Sequence, residues 1–147
     1  MVVDVERNDL GRIAETGSVK VIDSPRVVTH ETVHHRVATV EASLLPHVGR
    51  QELLRAMLPS GSITGAPKIR AMEVIGQLEV HRRGLYTGAI GSLAQDGTLT
   101  LSMAIRCLSI REGEGHYFAG GGIVSDSSPE REVEETRWKA LQLGLEL

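Results

Sequence analysis

Aromatic side chains are nearly missing from this sequence, because phenylalanine, tyrosine and tryptophan together make up 3% of its 147 residues. A core must therefore be aliphatic, and the hydrophobic content of 41% is ordinary for a globular protein. Cys107 is the single cysteine, which excludes an internal disulfide and favours a reducing compartment such as the cytoplasm.

Strong charge and long apolar runs are missing as well. The formal net charge of −3 gives no reason to expect nucleic acid or an acidic membrane surface as a partner. No apolar run reaches the length that crosses a membrane, and no signal-peptide pattern stands out. We therefore expect a cytoplasmic protein that binds neither nucleic acid nor membrane.

The hydrophobic period changes along the sequence. Period-two alternation, typical of strands, runs through 27–41, and helical spacing runs through 50–58 and 65–78. Asp96-Gly97 predicts a hairpin turn, and Ser128-Pro129 predicts the start of a last helix that reaches the end of the chain. This order predicts an α+β fold in one domain, an antiparallel sheet backed by helices. Further predicted elements are an amphipathic segment at 1–13 and a three-stranded meander formed by 84–94, 98–110 and 116–124.

The predicted helix at 65–78 opens on small residues. Ser62, Thr64 and Gly65 stand at its start, and Lys68 lies in its first turn. Unpaired backbone N–H groups and the helix dipole make such an N-terminus a suitable anion site, to which Ser62 and Thr64 add hydroxyl donors. Plain N-capping by these residues is the alternative.

The glycine run Gly120, Gly121 and Gly122 falls within a predicted strand. Glycine weakens a strand, so either a ligand approaches this backbone closely or the strand bulges.

The last predicted helix carries Glu132, Glu135 and Lys139 at spacings that share one face. Two carboxylates one turn apart can hold a hard cation such as Mg²⁺. The alternative is a solvated face with an ion pair between Glu135 and Lys139.

Several other polar side chains fit either a site or ordinary structure. Alternation places His35 in a row of valines facing the interior, with His30 and His34 on the opposite face. A satisfied core histidine and a site histidine are both open for His35. Arg106 lies opposite the apolar face of its predicted strand, where it is either solvated or clamps a carboxylate. Tyr86, on the preceding strand, leaves the same two alternatives.

Five longer strings of this sequence also carry a family resemblance. They are VVDVERNDLGR, GSITGAPKIRAMEVI, RRGLYTGAIG, MAIRCL and AGGGIVSDSSPEREVEET. In content and order they resemble the C-terminal part of the chorismate-utilising enzymes, the family of anthranilate synthase component I and aminodeoxychorismate synthase component I.

The resemblance implies a chorismate site that holds a magnesium ion. It implies that His35 is the active-site histidine near the group leaving the ring, and that Glu132 and Glu135 belong to the magnesium shell. It also implies that Arg106 clamps a substrate carboxylate. The residues implied to contact the substrate are Ser62, Tyr86, Arg106, Gly120, Gly121 and Gly122, supported by Thr64, Lys68 and Lys139.

The implied activity is magnesium-dependent amination of chorismate to 4-amino-4-deoxychorismate, which leads to para-aminobenzoate and folate. A partner glutamine amidotransferase subunit would supply the ammonia. Serine at position 62 favours this branch, while anthranilate synthase of the tryptophan pathway and a non-catalytic chorismate-binding module remain alternatives. The implied fold is an α/β sandwich with antiparallel sheets and flanking helices, of which residues 1–147 form the C-terminal portion.

The resemblance further implies site elements that precede the region resembling this chain. They are a second magnesium glutamate and a substrate-binding PI-x-GT segment. We therefore expect the isolated chain to be inactive in chorismate amination. We also expect apolar faces, such as that of Leu99, Leu101 and Met103, to cause self-association.

Overall fold

A computed structural model describes residues 2–29 and 34–141. The chain divides into two compact units, Met1–Gln77 and Leu78–Leu147. The helices are α1 (Val2–Gly11), α2 (Arg50–Met57), α3 (Gly61–Thr64), α4 (Lys68–Leu78) and α5 (Pro129–Ala140). The strands are β1 (Lys20–Thr29), β2 (His34–Glu41), β3 (Ala89–Leu93), β4 (Leu99–Met103), β5 (Leu108–Arg111) and β6 (Glu114–Tyr117).

The mixture of helices and antiparallel strand pairs confirms the predicted α+β class. The first two helices lie where the hydrophobic spacing predicts them, and the last begins at the predicted Ser128-Pro129 signal, while its predicted course over residues 142–147 lies outside the described residues. Ser128 occupies the N-cap of α5 and Pro129 its first position, as expected from the sequence. None of the helices in residues 2–29 and 34–141 is both long and apolar enough to span a bilayer.

In the first unit, the strand predicted at 27–41 is wrong as a single element. β1 and β2 are separate strands that pair antiparallel, with Lys20 opposite Glu41 and Thr29 opposite His34, and residues 30–33 lie outside the described part of the chain. None of these four residues is a glycine, proline, asparagine or aspartate, so the sequence carries no turn signal that would divide the predicted strand.

The helix predicted at 65–78 is two helices. α3 is a single turn that ends at Gly65, whose φ of 110° is a conformation that favours glycine. Pro67 follows and has no N–H to donate, and α4 begins only at Lys68. The break arises because Gly65 and Pro67 together disfavour a continuous helix.

The polar residues at this break therefore play different parts from those predicted. Ser62 and Thr64 lie within α3, and the N-cap is Ser60, whose side chain accepts a hydrogen bond from the Ser62 N–H at 3.1 Å. The prediction that Ser62 and Thr64 open one long helix is wrong. A four-residue helix has too small a dipole to form an anion site by itself.

A buried ion pair holds α1, α3 and α4 together. The Asp9 carboxylate lies 2.8 Å from Lys68 Nζ and accepts the Gly61 N–H at 2.9 Å. Lys68 Nζ also donates to the Ala56 carbonyl at 3.0 Å. The Asp9 and Lys68 side chains are 3% and 15% exposed. Their charges are thus neutralised and hydrogen-bonded within the protein, as burial requires.

The second unit contains two separate hairpins rather than the predicted meander. β3 and β4 are joined through the expected Asp96-Gly97 turn, where Asp96 Oδ1 accepts the Thr98 N–H at 2.8 Å. β5 and β6 are joined through Glu112 and Gly113, which both adopt positive φ, as a tight hairpin turn requires. Among the described residues each sheet has two strands.

Two further strand boundaries in this unit differ from prediction. The strand expected at 98–110 is interrupted after Met103, and the strand expected from Gly84 begins at Ala89. β6 ends at Tyr117, so the glycine run lies outside any strand. The glycine run therefore does not weaken a strand, and the strand bulge offered as an alternative does not explain it.

Four of the five buried hydrophobic residues among residues 2–29 and 34–141 are alanines. In the part of the chain that the structure describes, no large side chain is fully buried. Leu101 on β4 is 41% exposed and Ile69 on α4 is 75% exposed, whereas Leu99 and Met103 are half-buried. Self-association through such faces stays a prediction. The buried hydrophobic residues are Ile13, Ala14, Ala56, Ala104 and Ala140.

We predict that Lys68→Met lowers the free energy of unfolding by about 3–5 kcal/mol, because the Asp9 carboxylate then stays buried without its cation. The matched control is Arg70→Met on the same helix. Its ion pair with Glu73 is exposed, so a change within about 0.5 kcal/mol is expected. Urea denaturation followed by circular dichroism measures both variants.

Failure of the Lys68 variant to fold would agree with this role of the pair. Equal unfolding free energies for the two variants would contradict it.

Candidate functional site

The glycine run packs against the two glutamates of α5. A Cβ atom built on Gly121 would lie 2.7 Å from Glu132 Oε2 and 3.8 Å from Glu135 Oε1. The shorter distance is below any normal contact, so this backbone lies close to the carboxylates only because residue 121 lacks a side chain. The structure thus brings together three residues that the sequence analysis assigned to one site.

Lys139 ties the same backbone to the helix. Its Nζ donates to the Gly120 carbonyl at 2.9 Å and forms an ion pair with Glu135 Oε1 at 2.5 Å. The Tyr117 hydroxyl donates to the Lys139 carbonyl at 3.0 Å, which fixes the end of β6 to the last turn of α5. Both ends of the segment leading into the glycine run are therefore held against one helix.

The oxygens of Glu132 differ in their surroundings. Oε1 accepts a hydrogen bond from the Ser127 hydroxyl at 2.5 Å. Oε2 is buried, and it has no hydrogen-bond partner among residues 2–29 and 34–141. A buried carboxylate oxygen without a donor is unfavourable unless a cation or a ligand reaches it.

The carboxylates of Glu132 and Glu135 fit part of a magnesium coordination shell. Carboxylate oxygens are the donors that Mg²⁺ prefers, in an octahedral arrangement. The residues that the structure describes contain no cluster of three or more histidine, cysteine, aspartate or glutamate side chains suited to a metal. Glu132 and Glu135 would therefore supply two ligands, and the others would come from substrate, water or further chain.

Tyr86 reaches the glycine run at Gly120. A Cβ on Gly120 would lie 2.9 Å from the Tyr86 hydroxyl oxygen. The Tyr86 ring stacks on Phe118 with centroids 5.5 Å apart, and the Arg83 guanidinium lies 5.5 Å from the ring centre. Burial raises the pKa of the Tyr86 hydroxyl, and the positive charge of Arg83 partly opposes this. Tyr86 therefore meets the run as a neutral hydroxyl.

Arg106 lies at the same end of the β3–β4 hairpin as Tyr86. Past the ends of these strands, the Thr87 N–H donates to the Ala104 carbonyl at 2.8 Å, and the Ala104 N–H donates to the Gly88 carbonyl at 2.9 Å. Tyr86 immediately precedes this pairing, and Arg106 follows it by two residues. Arg106 adopts a φ of 56°, which is rare for a residue with a side chain. This conformation breaks the predicted strand and leaves the arginine exposed.

In the first unit, Ser62 takes part in a chain of hydrogen bonds. Its hydroxyl lies 2.6 Å from the Ser60 hydroxyl, and Ser60 donates to the Glu6 carboxylate. Ser60 is buried, whereas Ser62 is exposed. The Thr64 hydroxyl donates to the Ser60 carbonyl at 3.1 Å and so supports the turn.

Lys68 is directed into the protein rather than toward a ligand, because its ammonium is shared by Asp9 and Ala56. A groove of about 750 Å³ lies between α1 and the α3–α4 connection. Lys68 lines it, but Ser62 and Thr64 do not. In the described chain, Lys68 therefore has a structural role through Asp9 and Ala56.

The expected inward orientation of His35 is wrong. The first four residues of β2 are exposed, and half-burial begins at Ala38 and recurs at Val40. Half-burial therefore falls on the face of His34, not on that of His35, so the alternation has the opposite phase to the one predicted. Both histidines are exposed, and the His34 ring nitrogen Nδ1 lies 3.1 Å from the Thr29 hydroxyl. His30 lies outside the described residues.

Sequence reasoning missed three residues of the first unit: Glu6, Asp9 and Ser60. Asp9 had a signal, since helical spacing places it on one face with Val2 and Val5, where a charge calls for a buried partner. Glu6 and Ser60 had no local signal, because 54 positions separate them.

Comparison with known proteins gives a consistent match. The sequence profile described as chorismate binding enzyme matches residues 1–143. Aminodeoxychorismate synthase component 1 of Klebsiella aerogenes is 49% identical over 136 residues, which cover 92% of this chain and 30% of that protein. Anthranilate synthase component 1 of Pseudomonas aeruginosa is 46% identical over 136 residues, covering 92% of this chain and 28% of that protein.

A solved structure agrees with the sequence matches. Anthranilate synthase component I from Streptococcus pneumoniae TIGR4 superposes with a TM-score of 0.89 at 43% identity, covering 99% of this chain and 33% of that one. The chain thus spans about a third or less of the length of the relatives it matches.

We predict that the protein loses stability as the pH rises above about 10 and that Tyr86→Phe removes part of this loss. Burial raises the folded-state pKa of Tyr86 above its ordinary value. The stabilisation is therefore complete below the unfolded-state pKa and is lost as the pH rises through the folded-state pKa. Urea midpoints of both proteins between about pH 8 and pH 12 measure the difference. Parallel pH profiles would show that Tyr86 does not contribute.

Proposed function

Because this chain belongs to the chorismate binding enzyme family, we propose that it forms part of an enzyme that aminates chorismate to 4-amino-4-deoxychorismate. The activity is proposed for the whole enzyme, since the chain covers 28–30% of two of the relatives it matches. Support comes from a relative named aminodeoxychorismate synthase component 1 at 49% identity.

The observation that carries the proposal is the contact between Gly121 and Glu132. A backbone without a side chain lies against a buried carboxylate oxygen that has no partner in the described chain. This arrangement leaves an acceptor for a cation directly beside peptide groups that a small anionic ligand can approach. A chorismate carboxylate and a divalent cation together fit these two requirements.

Glu132 and Glu135 would hold a magnesium ion here. Bound Mg²⁺ would offset negative charge on a substrate carboxylate and on the departing hydroxyl. Lys139 holds Glu135 and the Gly120 carbonyl in place, which orients the carboxylate before any ligand arrives.

The remaining residues of the proposal bind and orient substrate. Arg106 offers a planar guanidinium, which pairs with a carboxylate through two parallel hydrogen bonds. Tyr86 brings a neutral hydroxyl to Gly120, suited to a neutral oxygen of the substrate. His35 remains in the proposal as the histidine near the leaving group, and its exposure leaves its ring accessible.

Ammonia would come from a separate glutamine amidotransferase subunit. The relatives are named as a component 1, which agrees with a second component in each of those systems. Cytoplasmic location fits the single cysteine and stays part of the proposal.

Anthranilate synthase is the second candidate. The observation that favours it is the match to relatives of that name at 46% identity, close to the 49% of the aminodeoxychorismate synthase relative. The two candidates share the substrate, the metal and the ammonia donor, and they differ in the ring position that is aminated.

Calorimetric titration of the chain with chorismate, with and without Mg²⁺, tests the proposed function. We expect binding that depends on Mg²⁺, and competition by 4-amino-4-deoxychorismate stronger than competition by anthranilate. Reversed competition would favour the anthranilate branch. Lack of any chorismate binding at millimolar concentration, by a chain shown to be folded, would overturn the proposal for these residues.

We predict that Gly121→Ala weakens magnesium-dependent chorismate binding roughly tenfold or more, because the added methyl group displaces the Glu132 carboxylate. The matched control is Gly76→Ala on α4, since nothing lies within 4 Å of a Cβ at that position. We expect its affinity to change less than about twofold. Equal losses in the two variants would remove the special role of Gly121.

A further inference from the structure

The Arg83 guanidinium forms two sets of hydrogen bonds within the second unit. Its Nη2 and Nε atoms donate to the two carboxylate oxygens of Glu79 at 2.6 and 2.8 Å, a bidentate pair with a fixed orientation. Its Nη1 atom donates to the Thr87 hydroxyl at 3.3 Å. Because Glu79 already neutralises this arginine, Arg83 is not placed to clamp a substrate carboxylate.

Tyr86 is bound to Arg83 at three points. The Arg83 guanidinium lies 5.5 Å from the centre of the Tyr86 ring. The Tyr86 N–H donates to the Arg83 carbonyl at 3.0 Å. The Thr87 hydroxyl accepts from Arg83 and donates to the Tyr86 carbonyl at 2.5 Å. The ring, the N–H and the carbonyl of Tyr86 are therefore all tied to Arg83, directly or through Thr87.

Thr87 has an unfavourable backbone conformation at this link. Its φ is 66°, which is rare for a β-branched residue, and it is only 8% exposed. Such a conformation persists where the surrounding contacts determine it, and it is common beside functional sites. The hydrogen bond from Arg83 is one of these contacts, so Arg83 also helps to fix the backbone next to Tyr86.

We infer that Arg83 is a positioning residue, which holds the Tyr86 hydroxyl against Gly120 without meeting the ligand itself. A Cβ on Gly120 would lie 2.9 Å from the Tyr86 hydroxyl oxygen. The next residue, Gly121, faces the buried Glu132 oxygen that has no hydrogen-bond partner within residues 2–29 and 34–141. This oxygen is the separate observation that points to a ligand beside Tyr86. The inference rests on the proposed function, which makes that ligand chorismate.

The first test measures the Tyr86 phenol pKa without a ligand. Carbon NMR of protein labelled at the hydroxyl-bearing ring carbon of tyrosine reports this titration, and Tyr86→Phe shows which of the two tyrosine signals belongs to Tyr86. Burial is the main cause that raises the Tyr86 pKa, Arg83 lowers it, and Glu79 and Tyr117 raise it further.

The sign of the change in Arg83→Met separates the two possible roles of Arg83. If the ring leaves its place, it loses the effect of burial, so we expect the Tyr86 pKa to fall toward its ordinary value. If the ring stays in place, only the positive charge is lost, and the pKa would rise. A rise, or no change, would overturn the inference.

Arg83→Lys repeats this measurement with the charge retained, and it covers the case in which Arg83→Met does not fold. An ammonium lacks the planar fork that reaches both Glu79 oxygens and the Thr87 hydroxyl. We therefore expect the Tyr86 pKa to fall in this variant as well. An unchanged pKa would mean that Arg83 acts through its charge alone, against the inference.

The second test measures magnesium-dependent chorismate binding in a double-mutant cycle. We expect Tyr86→Phe and Arg83→Met each to weaken binding about fivefold, as for one neutral hydrogen bond. In the Tyr86→Phe background, Arg83→Met should add less than about twofold, because its effect passes through the missing hydroxyl. An equal loss in both backgrounds would show that Arg83 meets the ligand directly, which contradicts a positioning role.

The matched control for both tests is Arg111→Met on β5, whose ion pair with Glu112 is exposed. It should leave the Tyr86 pKa and the chorismate affinity unchanged. Wild-type protein that binds no chorismate would overturn the proposed function, and the Tyr86 pKa would still decide whether Arg83 positions the ring. Wild-type binding with additive losses in the cycle would leave the proposed function intact and reject the inference alone.

Discussion

The ion pair between Asp9 and Lys68 is the interaction on which the first unit depends. At 2.8 Å and almost fully buried, it joins α1 to the first residue of α4. The same carboxylate accepts the Gly61 N–H at the start of α3. Since α3 is one turn long and cannot be stable alone, its position is set by this contact. The same contact places Ser60 within hydrogen-bonding distance of Glu6.

A second lysine has the corresponding role in the other unit. Lys139 binds the Gly120 carbonyl and Glu135, and its own carbonyl accepts the Tyr117 hydroxyl. Backbone without helix or strand hydrogen bonds needs other partners. In each unit a lysine ammonium donates to a backbone carbonyl, that of Ala56 in the last turn of α2 and that of Gly120 in the glycine run. Stability and site geometry therefore share the same contacts.

Local geometry explains which features could be predicted from the sequence. The shared face of Glu132, Glu135 and Lys139 follows from helical spacing alone, and the Asp96-Gly97 turn from its residue types. The phase of β2 could not be read, because apolar residues occupy both faces: Val37 beside His35, and Val40 on the other. The break before Lys68 needed the combined effect of Gly65 and Pro67. The pairing of Glu6 with Ser60 is a tertiary contact that no local pattern carries.

Residue type alone therefore leaves the chemistry of a site incomplete. A serine hydroxyl can donate or accept a hydrogen bond. A motif that contains Ser62 therefore does not show which of the two this hydroxyl does. The direction of the Ser62 hydrogen bond depends on Glu6 of α1, which acts through the buried Ser60. Lys139 and Arg106 carry only donors, and the Glu132 carboxylate carries only acceptors. The hydrogen-bonding role of these charged side chains follows from residue type alone, whereas that of the Ser62 hydroxyl depends on its contacts with Ser60 and, through Ser60, with Glu6.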